Sequence, residues 1–205
     1  MTHNTLNFDE KDGVATITLS RDGGNRINVQ MVQDLSSVCD HLEDNSTASH
    51  VIFRGSNGIF SKGVDFSDFH PNKEMDIHGF NKWEKICRRI EQIPKTTVAF
   101  VEGAAIGGGF QLLLTCDLRL AAPNAVFQMP EVHMGFLPGM ATFRLAKYIG
   151  LGRAKRMMLT AEEIDARQAL DWGIVDRIDT EEAALAWASK ALGPKHSVAV
   201  ELARR

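Results

Sequence analysis

The chain has 205 residues and a formal net charge of −3, with 44% hydrophobic and 24% charged side chains. That balance fits one globular domain with a real core, and it excludes a disordered chain, a small disulfide-stapled scaffold and a basic nucleic-acid binder. Cys39, Cys87 and Cys116 form no C-x-x-C pair and no metal-ligand spacing, the start of the chain is polar, and the apolar runs are short. Reduced thiols, no metal, no membrane partner and a cytoplasmic location are the expectations.

The first elements in chain order are strands over 5–8 and 14–19, joined by a turn at Lys11-Asp12-Gly13. Asp22-Gly23-Gly24-Asn25 reads as a loop. Met31, Leu35, Val38 and Leu42 share one helical face, which predicts a helix over 29–43. A strand at 50–54 and a turn at Gly55-Ser56-Asn57-Gly58 follow. Residues 59–69 read as irregular, and Pro71-Asn72-Lys73 extends that loop. A second amphipathic helix is expected over 76–92, closed by Pro94. Strands are expected at 98–101, 118–121 and 125–128, with a helix from Gly108 to Cys116. Beyond them lie helices at 140–149, 153–159 and 165–172, a strand at 174–178 and a last helix at 181–192. Alternating short strands and helices predict an α/β fold.

Gly107-Gly108-Gly109 stand between a strand and a helix. A tight turn with close helix packing is one explanation. The other is an oxyanion site, because peptide N–H groups at a helix start can point at a developing negative charge. The spacing matches neither a phosphate loop nor a dinucleotide fingerprint.

Four segments carry a resemblance. They are Phe60-Ser61-Lys62-Gly63-Val64-Asp65-Phe66, the run from Pro94 through Gly109 to Cys116-Asp117, Phe127 through Pro130-Glu131 to Pro138-Gly139, and Ala169-Leu170-Asp171-Trp172-Gly173-Ile174-Val175-Asp176. Together, and in this order, they resemble the crotonase (enoyl-CoA hydratase/isomerase) superfamily. The resemblance implies a crotonase-like spiral of β-β-α units and an acyl thioester of coenzyme A or of an acyl carrier protein. It implies no separate cofactor and a homo-oligomer, trimer or hexamer. By motif position the oxyanion donors are the backbone N–H groups of Val64 and Gly108. Lys62, Gly63, Asp65 and Gly107 fall on the substrate and coenzyme side. Residues 1–192 form the expected core domain. Residues 193–205 form a short tail where the family's C-terminal helices would stand.

The family's hydratases resemble one another in carrying two glutamates. Here the second is Glu131, while the first position holds Gln111. Gln111 cannot ionise, but one carboxylate suffices for a 1,3-proton shift. Double-bond isomerisation with Glu131 as single acid/base is therefore the first expectation. Hydration with Gln111 as a water positioner and decarboxylation are alternatives. The stretch Pro138-Gly139-Met140-Ala141-Thr142-Phe143 has some resemblance to decarboxylating members. A non-catalytic partner subunit, binding a homologue or an acyl carrier, is the alternative of another class. His133 follows Glu131 by two residues, and no catalytic role is expected for it.

Overall fold

The computed structural model describes residues 3–69, 77–193 and 197–204. The expected loop at 71–73, the helix start at Asp76 and Pro194 lie outside them.

Strands β1 (Leu6–Lys11) and β2 (Val14–Leu19) form a hairpin. Its two-residue turn places Asp12 and Gly13 at φ 52° and 77°, the positive angles that a hairpin turn of this length requires. Ala15, Ile17 and Leu19 point into the core, so the period-2 alternation of β2 is a true two-faced strand. A distorted turn, α1 (Asp22–Asn25), leads to α2 (Val29–Asp44). The Asn28 side chain caps α2 by accepting from the Met31 N–H at 2.9 Å. Next come β3 (His50–Gly55), the single turn α3 (Phe66–Phe69) and α4 (Ile77–Gln92).

From β4 (Thr96–Val101) the chain steps into β5 (Ala104–Ile106), then α5 (Gly108–Leu114), β6 (Leu118–Ala121) and β7 (Val126–Gln128). Each step is strand, strand, helix. One strand joins a six-stranded sheet ordered β1-β2-β3-β4-β6-β9 and the next a small sheet ordered β5-β7-β8. This is the spiral of β-β-α units that the resemblance implies. The large sheet is parallel apart from the β1–β2 hairpin. All six residues of β4 are buried, as expected of a parallel strand covered on both faces. The main core lies on one side, and Val98, Phe100, Leu120, Ala184 and Ala188 pack on the other.

A 3-10 turn (Glu131–Met134) follows β7, then α6 (Ala141–Thr160), β8 (Ile164–Asp165), α7 (Ala166–Trp172), β9 (Arg177–Ile178), α8 (Glu181–Leu192) and α9 (Ser197–Arg204). Gly150 breaks α6 at φ 76°, ψ 159°, so the two helices expected there are two helical pieces. Gly173 ends α7 in the left-handed conformation.

Three expectations need correction. β5 is read as part of the glycine run because three residues with two alanines carry no strand signal. β9 spans only Arg177–Ile178, since Ile174 and Val175 turn back to bond Ala169. Residues 197–204 are a helix and not a plain tail; Arg204 reaches back to donate to Asp117 Oδ2 at 2.6 Å. No helix among the described residues is long and apolar enough to cross a membrane.

Candidate active site

The site grows from β5. Ser61 bridges Ala105 on one side of it, and β7 pairs on the other. Ile27 in turn bridges Val64. The segment 61–64, the start of α5 and the residues after β7 are therefore fixed to one small frame.

Backbone hydrogen bonds then sort the amides. Gly63 N–H donates to Ser61 Oγ, Asp65 N–H to Ile27 O and Gly107 N–H to Gln128 O. Among the described residues, the Val64 and Gly108 N–H groups have no protein acceptor. The two lie side by side: a β-carbon on Gly63 would stand 3.5 Å from the Gly108 nitrogen, and one on Gly108 would stand 3.5 Å from the Val64 nitrogen. Gly63 has φ +88° and Gly107 φ +51°, so both bends need glycine. Two unpartnered donors at a helix start form a ready anion site.

Glu131 enters from the first residue of the 3-10 turn. A β-carbon on Gly107 would stand 3.0 Å from Glu131 Oε1, which is how closely the carboxylate approaches the glycine turn. Glu131 is only 4% exposed, and its Oε2 has no hydrogen-bond partner. Burial pushes its pKa above the usual carboxylate range, while its own backbone N–H and a hydrogen bond from Gln111 pull the other way. Gln111, on α5, is itself buried.

Lys62, Gly63, Val64, Gly107, Gly108, Gln111 and Glu131 all line one cavity of about 670 Å³. Asp65 does not line it. Its carboxylate pairs with Arg21 at 2.7 Å and accepts from the Ser67 hydroxyl at 2.6 Å, so the structure puts it in a supporting position rather than on the substrate side. His133, in the same 3-10 turn as Glu131, is exposed and outside the cavity.

Sequence reasoning missed several wall residues. Phe66, Phe80 and Phe136 form an aromatic wall with ring centroids 5.2–6.5 Å apart. Arg26 stands with Lys62 as an exposed cation on the lining. Glu84, from α4, also lines the cavity. Arg26, Phe80 and Glu84 come from segments without motifs, Phe66 and Phe136 from two different motif segments, and only the fold brings them together. Among the described residues no cluster of His, Cys, Asp or Glu could hold a metal ion.

The family model for enoyl-CoA hydratase/isomerase matches residues 9–200. The chain belongs to the enoyl-CoA hydratase/isomerase family. It is an enzyme of this family's type. A probable enoyl-CoA hydratase of Bacillus subtilis is 31% identical over 195 residues, covering 94% of this chain and 76% of that protein. The short-chain-enoyl-CoA hydratase of Clostridium acetobutylicum is 36% identical over 177 residues, covering 82% and 67%. The crystal structure of an enoyl-CoA hydratase from Bacillus anthracis superposes with a TM-score of 0.92 at 28% identity, covering 98% of this chain and 81% of that one. Within the family, the pairing of Glu131 with an uncharged Gln111 is the feature that bears on the reaction.

Proposed function

We propose that this family member shifts the double bond of an enoyl thioester, with Glu131 as its single acid/base. The observation that supports this most is the contrast between the two cavity carboxylates. Glu131 is buried and has no cationic partner among the described residues, while Glu84 is tied to Arg144.

The thioester oxygen accepts from the Val64 and Gly108 N–H groups. Each such donor typically lowers the barrier by about 2.7–4 kcal/mol as the oxygen gains charge. Glu131 takes a C2 proton, the electron pair passes into the held dienolate, and the acid form of Glu131 returns the proton to C4. Burial suits this role, because a raised pKa lets the carboxyl carry the proton between the two carbons. Gln111 does not ionise; its hydrogen bond orients the carboxylate. Lys62 and Arg26 supply positive charge for the phosphates of a coenzyme A or acyl-carrier arm. The carrier enters as part of the substrate, and no separate cofactor is consumed. Hydration is the second reading, favoured by the names of the relatives.

We also propose a homo-oligomer, trimer or hexamer, supported by the exposed apolar side chains Met134, Leu137, Phe143, Leu151 and Leu159.

The test is a 3-enoyl thioester followed by NMR in deuterated water. Deuterium at C2 and C4 with a moved double bond is expected, and Glu131→Gln should abolish it. Absence of any shift in the wild type, or its survival in the variant, overturns the reading.

A further inference from the structure

The double-bond shift engages only the thioester and the first carbons of the acyl group. Three phenylalanines bear on the group's far end. Phe66 comes from α3, Phe80 from α4 and Phe136 from the loop after the 3-10 turn, and all three line the cavity that holds Glu131. Ring centroids are 5.2 Å apart for Phe66 and Phe136, 5.5 Å for Phe80 and Phe136, and 6.5 Å for Phe66 and Phe80. The ring planes are inclined to one another by 59°, 50° and 51° in the same order. Phe110 and Phe127 make a similar contact in the core, at 5.6 Å, and both are fully buried. The three cavity rings are only half-buried. Aromatic packing of the core kind thus continues into the cavity wall, with ring surface turned to the space a ligand would fill.

Burial alone does not choose between acyl tails. An alkyl chain and an aryl ring of equal area gain about the same from leaving water. Ring quadrupoles do choose, because offset and edge-to-face contacts between aromatic rings add stabilisation beyond the area buried. The three planes are mutually inclined, so a further ring stacked parallel to one is tilted against the other two. It makes both favourable geometries at once, and an alkyl chain makes neither. Met134 and Met140 also line the cavity, and thioether sulfur favours an aromatic neighbour. Position ties this wall to the reacting groups: Phe66 follows the Val64 donor by two residues, and Phe136 follows Glu131 by five.

We propose that the acyl group taken by this site ends in an aromatic ring, and that Phe66, Phe80 and Phe136 select it. This deepens the reading given above and rests on it for the placement of the thioester. With its oxygen on the Val64 and Gly108 amides and its C2 at Glu131, the acyl tail runs on to the three rings. Selection is by binding, and no bond is made or broken in it. Phe136 carries the largest share, because it lies closest to both other rings.

The experiment uses the full chain. Calorimetric titration compares saturated coenzyme A thioesters bearing a phenyl group on C4 or on C6 with their cyclohexyl counterparts, which match in size and lack the π system. C2 exchange of hex-3-enoyl-CoA in deuterated water is measured in parallel. Wild type should bind the better phenyl thioester about tenfold more tightly than its cyclohexyl counterpart, since each aromatic pair is worth about 2- to 12-fold. Phe136→Leu keeps an apolar side chain and should bring that ratio to within about twofold of one. Phe80→Leu probes the same wall from another segment and should lower the ratio too. Phe143→Leu removes an exposed ring outside the cavity and should leave the ratio unchanged. A wild-type ratio near one, or in favour of cyclohexyl, overturns the proposal whether or not the variants fold, and the double-bond shift stands if hex-3-enoyl-CoA still exchanges. A tenfold ratio that survives both Phe136→Leu and Phe80→Leu overturns it as well. A tenfold ratio lost in those variants, with no C2 exchange in the wild type, supports the aryl site and overturns the double-bond shift.

Discussion

At Glu131 the carboxyl group is nearly sealed from water, and one oxygen lacks a partner. Its folded pKa therefore lies above its unfolded value. The native state holds this proton more tightly, so the group's contribution to stability is full below the unfolded pKa and is lost as pH rises through the folded one. Glu131→Gln should raise Tm at neutral pH, with the gain shrinking in acid; thermal melts at several pH values check this. The same variant should lose about 10²–10⁴-fold in C2 proton transfer. Wild-type kcat/KM for the double-bond shift should rise as pH passes upward through this group's pKa, because the carboxylate is the base. Gly108→Ala tests the donors. Its β-carbon would meet Ile27 Cδ1 and Val64 Cγ2 at 3.0 Å, which displaces Val64. A fall in kcat of about 10²-fold with little change in Tm is expected, since side-chain ends can yield where the backbone donor's aim cannot.

Elements are joined by buried polar ties as well as by apolar packing. Arg119 on β6 is 5% exposed and donates to Ile174 O at 2.7 Å, Cys116 O at 3.0 Å and Asp176 Oδ1 at 3.1 Å, and it stacks on Tyr148 at 4.1 Å. It joins the end of α5, strand β6 and the approach to β9. Arg119→Met should cost about 3 kcal/mol, because it strands buried acceptors and one carboxylate; urea unfolding measures it. The apolar periodicities of β2, α2 and α4 were legible in the sequence because burial on one face leaves its period there. The break between the helices expected at 140–149 and 153–159 was legible too, and Gly150 is the backbone turn that makes it. β5 was not, because its place comes from Ser61 on one side and β7 on the other, and neither partner is written in Ala104-Ala105-Ile106. In the site, the motifs carried Val64, Gly108, Gln111 and Glu131 to one cavity. Arg26, Glu84 and Phe80 stayed hidden, because tertiary folding alone brings their segments to the site, and the motifs holding Phe66 and Phe136 gave no sign that the two rings meet. Asp65 shows the reverse case: it sits inside a motif, yet its carboxylate is taken up by Arg21 and Ser67.

At the scale of the molecule, among the described residues, large apolar side chains reach solvent mainly between residues 132 and 159, with Leu137 76%, Leu151 60% and Leu159 71% exposed. Clustered exposure of this kind marks an association surface. Light scattering coupled to size-exclusion chromatography should find an assembly larger than the monomer, and Leu151→Glu with Leu159→Glu should shift it towards the monomer. A monomeric wild type would remove the basis for the oligomer. The small sheet has a consequence of another kind. Val64, Gly108 and Glu131 all hang from Ala104–Ile106, which must find Ser61 on one edge and Val126–Gln128 on the other. Collapse of the apolar core does not by itself set that register. During refolding, hydrophobic burial should therefore return before turnover does, and the interval between them measures how long three residues take to find two distant neighbours.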